Sequence, residues 1–217
     1  MGRQQAIRRC TPLEAVEVFD PVDSLGLPLG PSQPTAVLEA MGTRHDWEDL
    51  RVFGALVTVL TDLFQHRNVH YLSGFFGPLE RLLRDSGANI GFVPADFRRF
   101  ITLLAQIRPR VMATAAAPPD ADGWCSLSLH AGANVAELHA AAADPSRVVL
   151  VEVSDRYPRT VGHGPHQHRI HVDETDVLVE SDAAPYELVD PTPTEAERAI
   201  AAHVRALIPD GATLQTG

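Results

Sequence analysis

The chain has 217 residues, 45% of them apolar and 21% charged, and a formal net charge of −10. That is long enough for one large domain or two small ones with a sizeable core, and the composition excludes a disordered chain. All 18 basic residues are arginine, and the acidic balance argues against a nucleic-acid partner, which needs a clustered positive field.

Cys10 and Cys125 are the only cysteines, so neither a disulfide framework nor a zinc knuckle is expected. The opening MGRQQAIRRC lacks the apolar core of a secretory signal. No stretch approaches the ~20 apolar residues of a membrane span. The expectation is a cytoplasmic protein with no membrane partner.

Strand-like and helix-like segments alternate along the chain, which predicts an α/β fold with a mainly parallel open sheet and flanking helices. Asp23–Gly30 is a short buried strand ending in a Gly/Pro turn, and Pro34 opens a helix to Met41. The apolar run Arg51–Leu60 predicts a fully buried strand. Asn68–Leu72 is the next strand, followed by the aromatic turn Gly74-Phe75-Phe76-Gly77-Pro78 and a helix over Leu79–Arg84. Ile90–Val93 is a strand. Ala95–Gln106 is an amphipathic helix, with Phe97, Phe100, Ile101 and Leu104 on its apolar face.

Val111–Ala117 and Trp124–Leu129 are two strands joined by a Pro/Asp/Gly turn. A helix over Asn134–Ala142 and a strand over Arg147–Val153 follow, and residues 154–170 are a polar loop. Val177–Glu180 is a further strand, and residues 181–192 connect. Thr194 and Glu197 form a capping box that starts a helix with Ile200, Val204 and Ile208 on its stripe. Pro209-Asp210-Gly211 stops it, and Ala212–Gln215 is expected to be a new strand. The domains expected are 1–192 and a helix–strand segment, 193–217.

Four segments carry a resemblance. Asp120-Ala121-Asp122-Gly123-Trp124-Cys125-Ser126-Leu127 resembles the DxxGxxSL turn of the acetyl-CoA hydrolase/transferase family, which includes 4-hydroxybutyrate and succinyl-CoA:acetate CoA-transferases. Gly30 through Pro34 with Leu38 is similar to that family's first loop. Tyr157–Gly162 with Ile170-His171-Val172 is similar to its MPRTxG…IHV stretch, and Ile208–Gln215 to its LIPDGATLQ segment, with Gly217 on the first glycine of the loop that follows. The four fall in the family's order. Cys125 stands where an aromatic is common, the link from Gly162 to Ile170 is longer than usual, and Thr216 replaces an apolar residue.

The resemblance implies the first domain of the CoA-transferase superfamily and the N-terminal half of such an enzyme. It implies acyl-CoA and a small carboxylic acid such as acetate as substrates, and no permanently bound cofactor. The family's catalytic glutamate lies in the C-terminal half, where its carboxylate attacks the thioester. No residue of this chain matches it, so no catalytic residue is assigned here. The missing half or a partner subunit is the expected partner, with homo-oligomerisation open.

The substrate- or CoA-binding candidates are Gly30, Ser32, Gln33 and Pro34 in the first loop, and Gln215 and Gly217 in the second. A strand-to-helix loop can hold a carboxylate or phosphate on the helix N-terminus, or it can be an ordinary βα turn. His163, His166, His168 and His171 have spacings that could suit a metal, but a single loop rarely completes a site, so a solvated loop is expected. Phe75 and Phe76 could line an acyl pocket or pack the core. Asp120, Asp122 and Gly123 shape a turn. Cys125 reads as a small buried hydrophobe, and Arg159 as a phosphate ligand or a structural ion pair.

Overall fold

The computed structural model describes residues 7–164, 167–187 and 190–215. The chain divides into two units, Met1–Tyr186 and Glu187–Gly217, where the sequence places a boundary after residue 192. In chain order the first unit contains β1 (Arg8–Cys10), α1 (Pro12–Ala15), β2 (Val22–Leu29), α2 (Thr35–Gly42), β3 (Asp49–Ala55) and β4 (Val69–Ser73). Then come α3 (Pro78–Asp85), β5 (Ile90–Phe92), α4 (Phe97–Ile107), β6 (Val111–Ala116), β7 (Trp124–Ser126) and α5 (Val135–Ala142). β8 (Val148–Val153), β9 (Arg169–His171) and β10 (Val177–Glu180) complete it, and the second unit holds α6 (Glu195–Ala206).

Eight strands form one sheet in the order β1-β10-β8-β6-β2-β3-β4-β5, and every neighbouring pair is parallel. Helices must therefore cover both faces, so the inner strands are apolar at nearly every position. Every residue of β6, VMATAA, is buried. Alternate side chains feed two cores. Leu25, Val52, Tyr71 and Leu150 pack with Val37, Leu38 and Met41 of α2 and Leu83 of α3. Phe53, Ala55, Met112 and Val151 pack on the opposite face with Phe100 and Leu104 of α4 and Leu138 and Ala141 of α5.

Several expectations change. β3 stops at Ala55 although the apolar run continues to Leu60, because Leu56 enters the left-handed region (φ 52) and donates its N–H to Phe75 O at 3.0 Å. The Trp124 strand ends at Ser126 and pairs antiparallel with β9 in a separate two-stranded sheet. β9 itself begins within the stretch expected to be loop, residues 154–170. Residues 8–15 carry a strand and a helix that pattern reading passed over, despite the capping box of Thr11 and Glu14. α2 begins at Thr35, leaving Pro34 at the cap position.

On α4, Phe100 and Leu104 are buried as expected, while Phe97 and Ile101 are exposed. In the second unit the capping box forms as expected, with Glu197 N donating to Thr194 Oγ1 at 3.2 Å and Thr194 N to Glu197 Oε2 at 2.6 Å. Ile200, Val204 and Ile208 are exposed. Ala212–Gln215 forms no strand; Ala212 N instead closes a turn on Pro209 O at 3.2 Å. No helix among the described residues is long and apolar enough to cross a membrane.

Candidate functional site

β2 is the pivot of the sheet: β3, next in sequence, lies on one side of it, and β6 on the other. Open α/β sheets carry their ligand crevice at such a switch point, outside the strands' carboxyl ends. The segment Gly30–Ser32 leaves β2 at that place as a single 3-10 turn, with Gln33 as its extended cap.

Each residue of that turn has a measurable role. Gly30 takes φ +52, which a side chain would strain. Its carbonyl accepts from Thr58 Oγ1 at 3.3 Å. Pro31 O accepts from the Tyr157 hydroxyl at 3.1 Å. The amide nitrogen of Gln33 donates to Pro28 O at 3.3 Å and to Ala55 O at 3.2 Å, tying the ends of β2 and β3 together. Both bonds of the Gln33 side-chain nitrogen thus go to backbone carbonyls of the scaffold. Ser32 is fully buried, and its hydroxyl has no hydrogen-bond partner among the described residues.

The first turn of α2 is already occupied by an anion, one that the chain supplies. The carboxylate of Glu152, a fully buried residue of β8, accepts from Ala36 N at 3.3 Å, Val37 N at 3.0 Å and Ser181 Oγ at 2.9 Å. Burial pushes its pKa up, against the lowering effect of these bonds. Burial, with the nearby Glu152 charge, also raises the Tyr157 phenol. A second buried carboxylate, Glu80 of α3, accepts from Val57 N at 2.7 Å, Ser73 Oγ at 3.2 Å and Gly77 N at 3.0 Å. It holds the loops that leave β3 and β4.

Beside these loops a cavity of about 180 Å³ opens between the ends of β2, β3 and β4 and the start of α4. Phe75 is part of its wall, whereas Phe76 packs edge-on against Phe92 at 5.4 Å beneath the Arg84 guanidinium. A larger hollow of about 660 Å³ lies over the face of β3–β5, near Arg51, His70 and Asn89, away from the loops.

Asp120, Arg159, Cys125 and His171 make contacts within the fold. Asp120 accepts from Trp124 N at 2.8 Å and Asp122 N at 3.1 Å, which holds its carboxyl below the usual range. Arg159 bonds to Asp120 at 3.4 Å, Trp124 O at 3.2 Å and Pro118 O, so it braces the 118–124 turn. Cys125 is fully buried, and burial pushes its thiol up to about 11. His171 contacts Asp122 O through Nε2 at 2.9 Å and stands edge-on to Trp124. His163 is exposed, and His166 lies outside the described residues. No group of three metal-ligating side chains occurs among the described residues. Gln215 is exposed in the second unit, and Gly217 lies outside the described residues.

Sequence reading missed Glu152, Glu80 and Tyr157. The signal for Glu152 was present, a lone carboxylate in the apolar strand VVLVEV. A charge on a strand buried on both faces must have a partner.

No protein-family model matches the chain. It is 28% identical over 213 residues to a succinyl-CoA:cyclohexane-1-carboxylate CoA transferase of Geobacter metallireducens, a match covering 96% of this chain and 46% of the relative. It is 35% identical over 99 residues to the 4-hydroxybutyrate coenzyme A transferase of Clostridium kluyveri, covering 46% of this chain and 21% of the relative. Among solved structures, RipA from Yersinia pestis superposes with a TM-score of 0.80 at 26% identity, over 94% of this chain and 49% of that one. A 4-hydroxybutyrate CoA-transferase from Porphyromonas gingivalis shares the fold, with a TM-score of 0.68 at 20% identity, over 97% of this chain and 48% of that one. The chain thus spans half or less of the length of these proteins. In sequence and in fold it is similar to CoA-transferases.

Proposed function

We propose that the chain supplies one wall of the acyl-CoA cleft in a CoA-transferase that moves CoA between an acyl-CoA and a small carboxylate. The observation that carries this reading is the near-complete match of the chain to a succinyl-CoA-dependent transferase, at 96% coverage. The wall is assigned to the switch-point loop Gly30–Pro34, where Ser32 carries a buried hydroxyl with no hydrogen-bond partner among the described residues. Gln215 and Gly217, of the second glycine loop, are proposed to bind substrate as well. CoA is then a substrate, and no cofactor is held permanently.

In this reading a glutamate outside the chain attacks the acyl-CoA thioester, forming an acyl–glutamyl anhydride and expelling CoA thiolate. The thiolate returns to the glutamyl carbonyl, releasing the first acid and leaving a glutamyl-CoA thioester. The acceptor carboxylate then takes CoA by the same two steps in reverse. Water in place of the acceptor gives hydrolysis. This chain contributes backbone N–H groups and a shaped surface, and the C-terminal half or a partner subunit contributes the nucleophile.

A second reading is a catalytically silent CoA- or protein-binding module. It is favoured by one observation: Gln33 and the α2 N-terminus are both satisfied internally. Acyl-CoA:acetate exchange, measured with the chain alone and after adding the C-terminal half of a relative, separates the two. The transferase reading expects exchange in the mixture only. Exchange by the chain alone defeats the assignment of the nucleophile elsewhere, and no exchange in either, with the mixture assembled, favours the binding module.

A further inference from the structure

The 180 Å³ cavity at the strand ends has a chemistry of its own. Leu29 and Ala55 are the last residues of β2 and β3, and Gly74 follows β4 directly. Ala95 and Phe97 form the opposite side, and Phe100 the floor. The floor is fixed, because Phe100 stacks on Phe53 with centroids 4.8 Å apart and planes 19° apart. Gly74 makes room for it, since a Cβ at that position would lie 2.7 Å from the Phe100 ring. The one charged group nearby, Asp96, is engaged as the α4 cap, accepting from Arg99 N at 2.8 Å. Phe75 and Phe97 are 52% and 63% exposed and stand at the mouth.

We propose that this cavity receives the hydrocarbon end of an acyl group of about five or six carbons, and that it sets which acid the site prefers. Apolar cavities of about 150 Å³ stay dry and bind benzene, so this one matches a six-carbon group in size. Leu29 immediately precedes Gly30, so a tail held here leaves its carboxyl end near the switch-point loop. Apart from the Asp96 carboxylate, bonded by Arg99 N and facing Arg98, the lining is apolar, so little there replaces the water lost by a terminal hydroxyl. A hydroxylated isostere therefore binds about 10- to 100-fold more weakly. The word acyl rests on the CoA-transfer reading, while the tail site does not.

The test is an NMR titration of the chain, watching the Leu29 and Ala55 methyls and the Phe75 and Phe97 rings. The probes are hexanoate and its isostere 5-hydroxypentanoate. Hexanoate is expected to shift these signals, and 5-hydroxypentanoate to need about 10- to 100-fold more. Ala95→Leu should fill the space from the rim, keep or raise the melting temperature and weaken hexanoate by at least about 10-fold. Phe75→Ala, which keeps the backbone contact to Leu56, should weaken it by a similar factor. Equal shifts from both acids, or unchanged binding in both variants, would overturn the assignment. Tail binding without any CoA exchange in the assembled mixture would sink the transfer reading and leave the cavity standing. Exchange whose preference between the two acids is unmoved by Ala95→Leu would do the reverse.

Discussion

The Glu152 carboxylate on β8 accepts from the Val37 amide of α2 at 3.0 Å, so the helix start beside the switch-point loop is capped from two strands away. Replacing Glu152 by Ala leaves the Ala36 and Val37 amides unpaired in a buried place, a cost of about 3 kcal/mol. Glu152→Gln keeps one acceptor and should lose about 1 kcal/mol. Urea unfolding midpoints at constant slope check the order Glu152, Gln, Ala.

Glu80 plays the same part on the other side of the pivot. Glu80→Ala frees Val57 N and Gly77 N and leaves the Ser73 hydroxyl with Phe75 O alone. A loss of about 3 kcal/mol is expected. Amide exchange should rise most at Val57 and Gly77, and a uniform rise across the sheet would show that the loops are held some other way.

The two cysteines should differ in reactivity. Cys125 is fully buried with its thiol raised to about 11, so almost no thiolate forms near neutrality. Cys10 is only partly buried. In native protein at pH 8 a thiol reagent should modify Cys10 alone, and both in denaturant. Prompt native labelling of Cys125 would contradict its placement in the core.

His130 gives acid sensitivity. Burial pushes its pKa below the ordinary 6.5, and its Nε2 accepts from Ala133 N at 3.4 Å in the neutral form. The unfolded chain therefore binds the proton more readily than the folded one. Stability from this group is complete above pH 6.5 and declines as pH falls toward the folded value. His130→Gln should flatten that slope in melting temperature measured from pH 7.5 down to 5.

The layer structure was legible because parallel strands buried on both faces leave a continuous apolar signature. Only the strand ends were hidden: Leu56 to Leu60 look the same as Val52 to Ala55, and a hydrogen bond from Leu56 to Phe75 decides where β3 stops. β9 was hidden because its ladder joins Trp124–Ser126 to Arg169–His171, a pairing that no local pattern encodes. At the site, the turn Gly30–Gln33 was found from its Gly/Pro chemistry and its position after an apolar strand. The direction of Gln33 was not, since its amide bonds to Ala55, 22 residues away. The partners of Glu152 and Glu80 come from other elements, and no spacing rule connects them.

β1 pairs only with β10, Arg8 opposite Val177. During synthesis the first strand made therefore waits for about 170 residues to follow, on the order of ten seconds or more at ribosomal speed. Until then β1 has no partner, and without β1 the edge that β10 presents is apolar Val-Leu-Val. Such an edge invites pairing with other chains. Arg8 and Arg9, the latter bridged to Glu180 at 3.0 Å, close that edge with charge. Deleting the ten residues through Cys10 would thus leave the loops and cavity untouched yet bare an apolar edge that favours self-association.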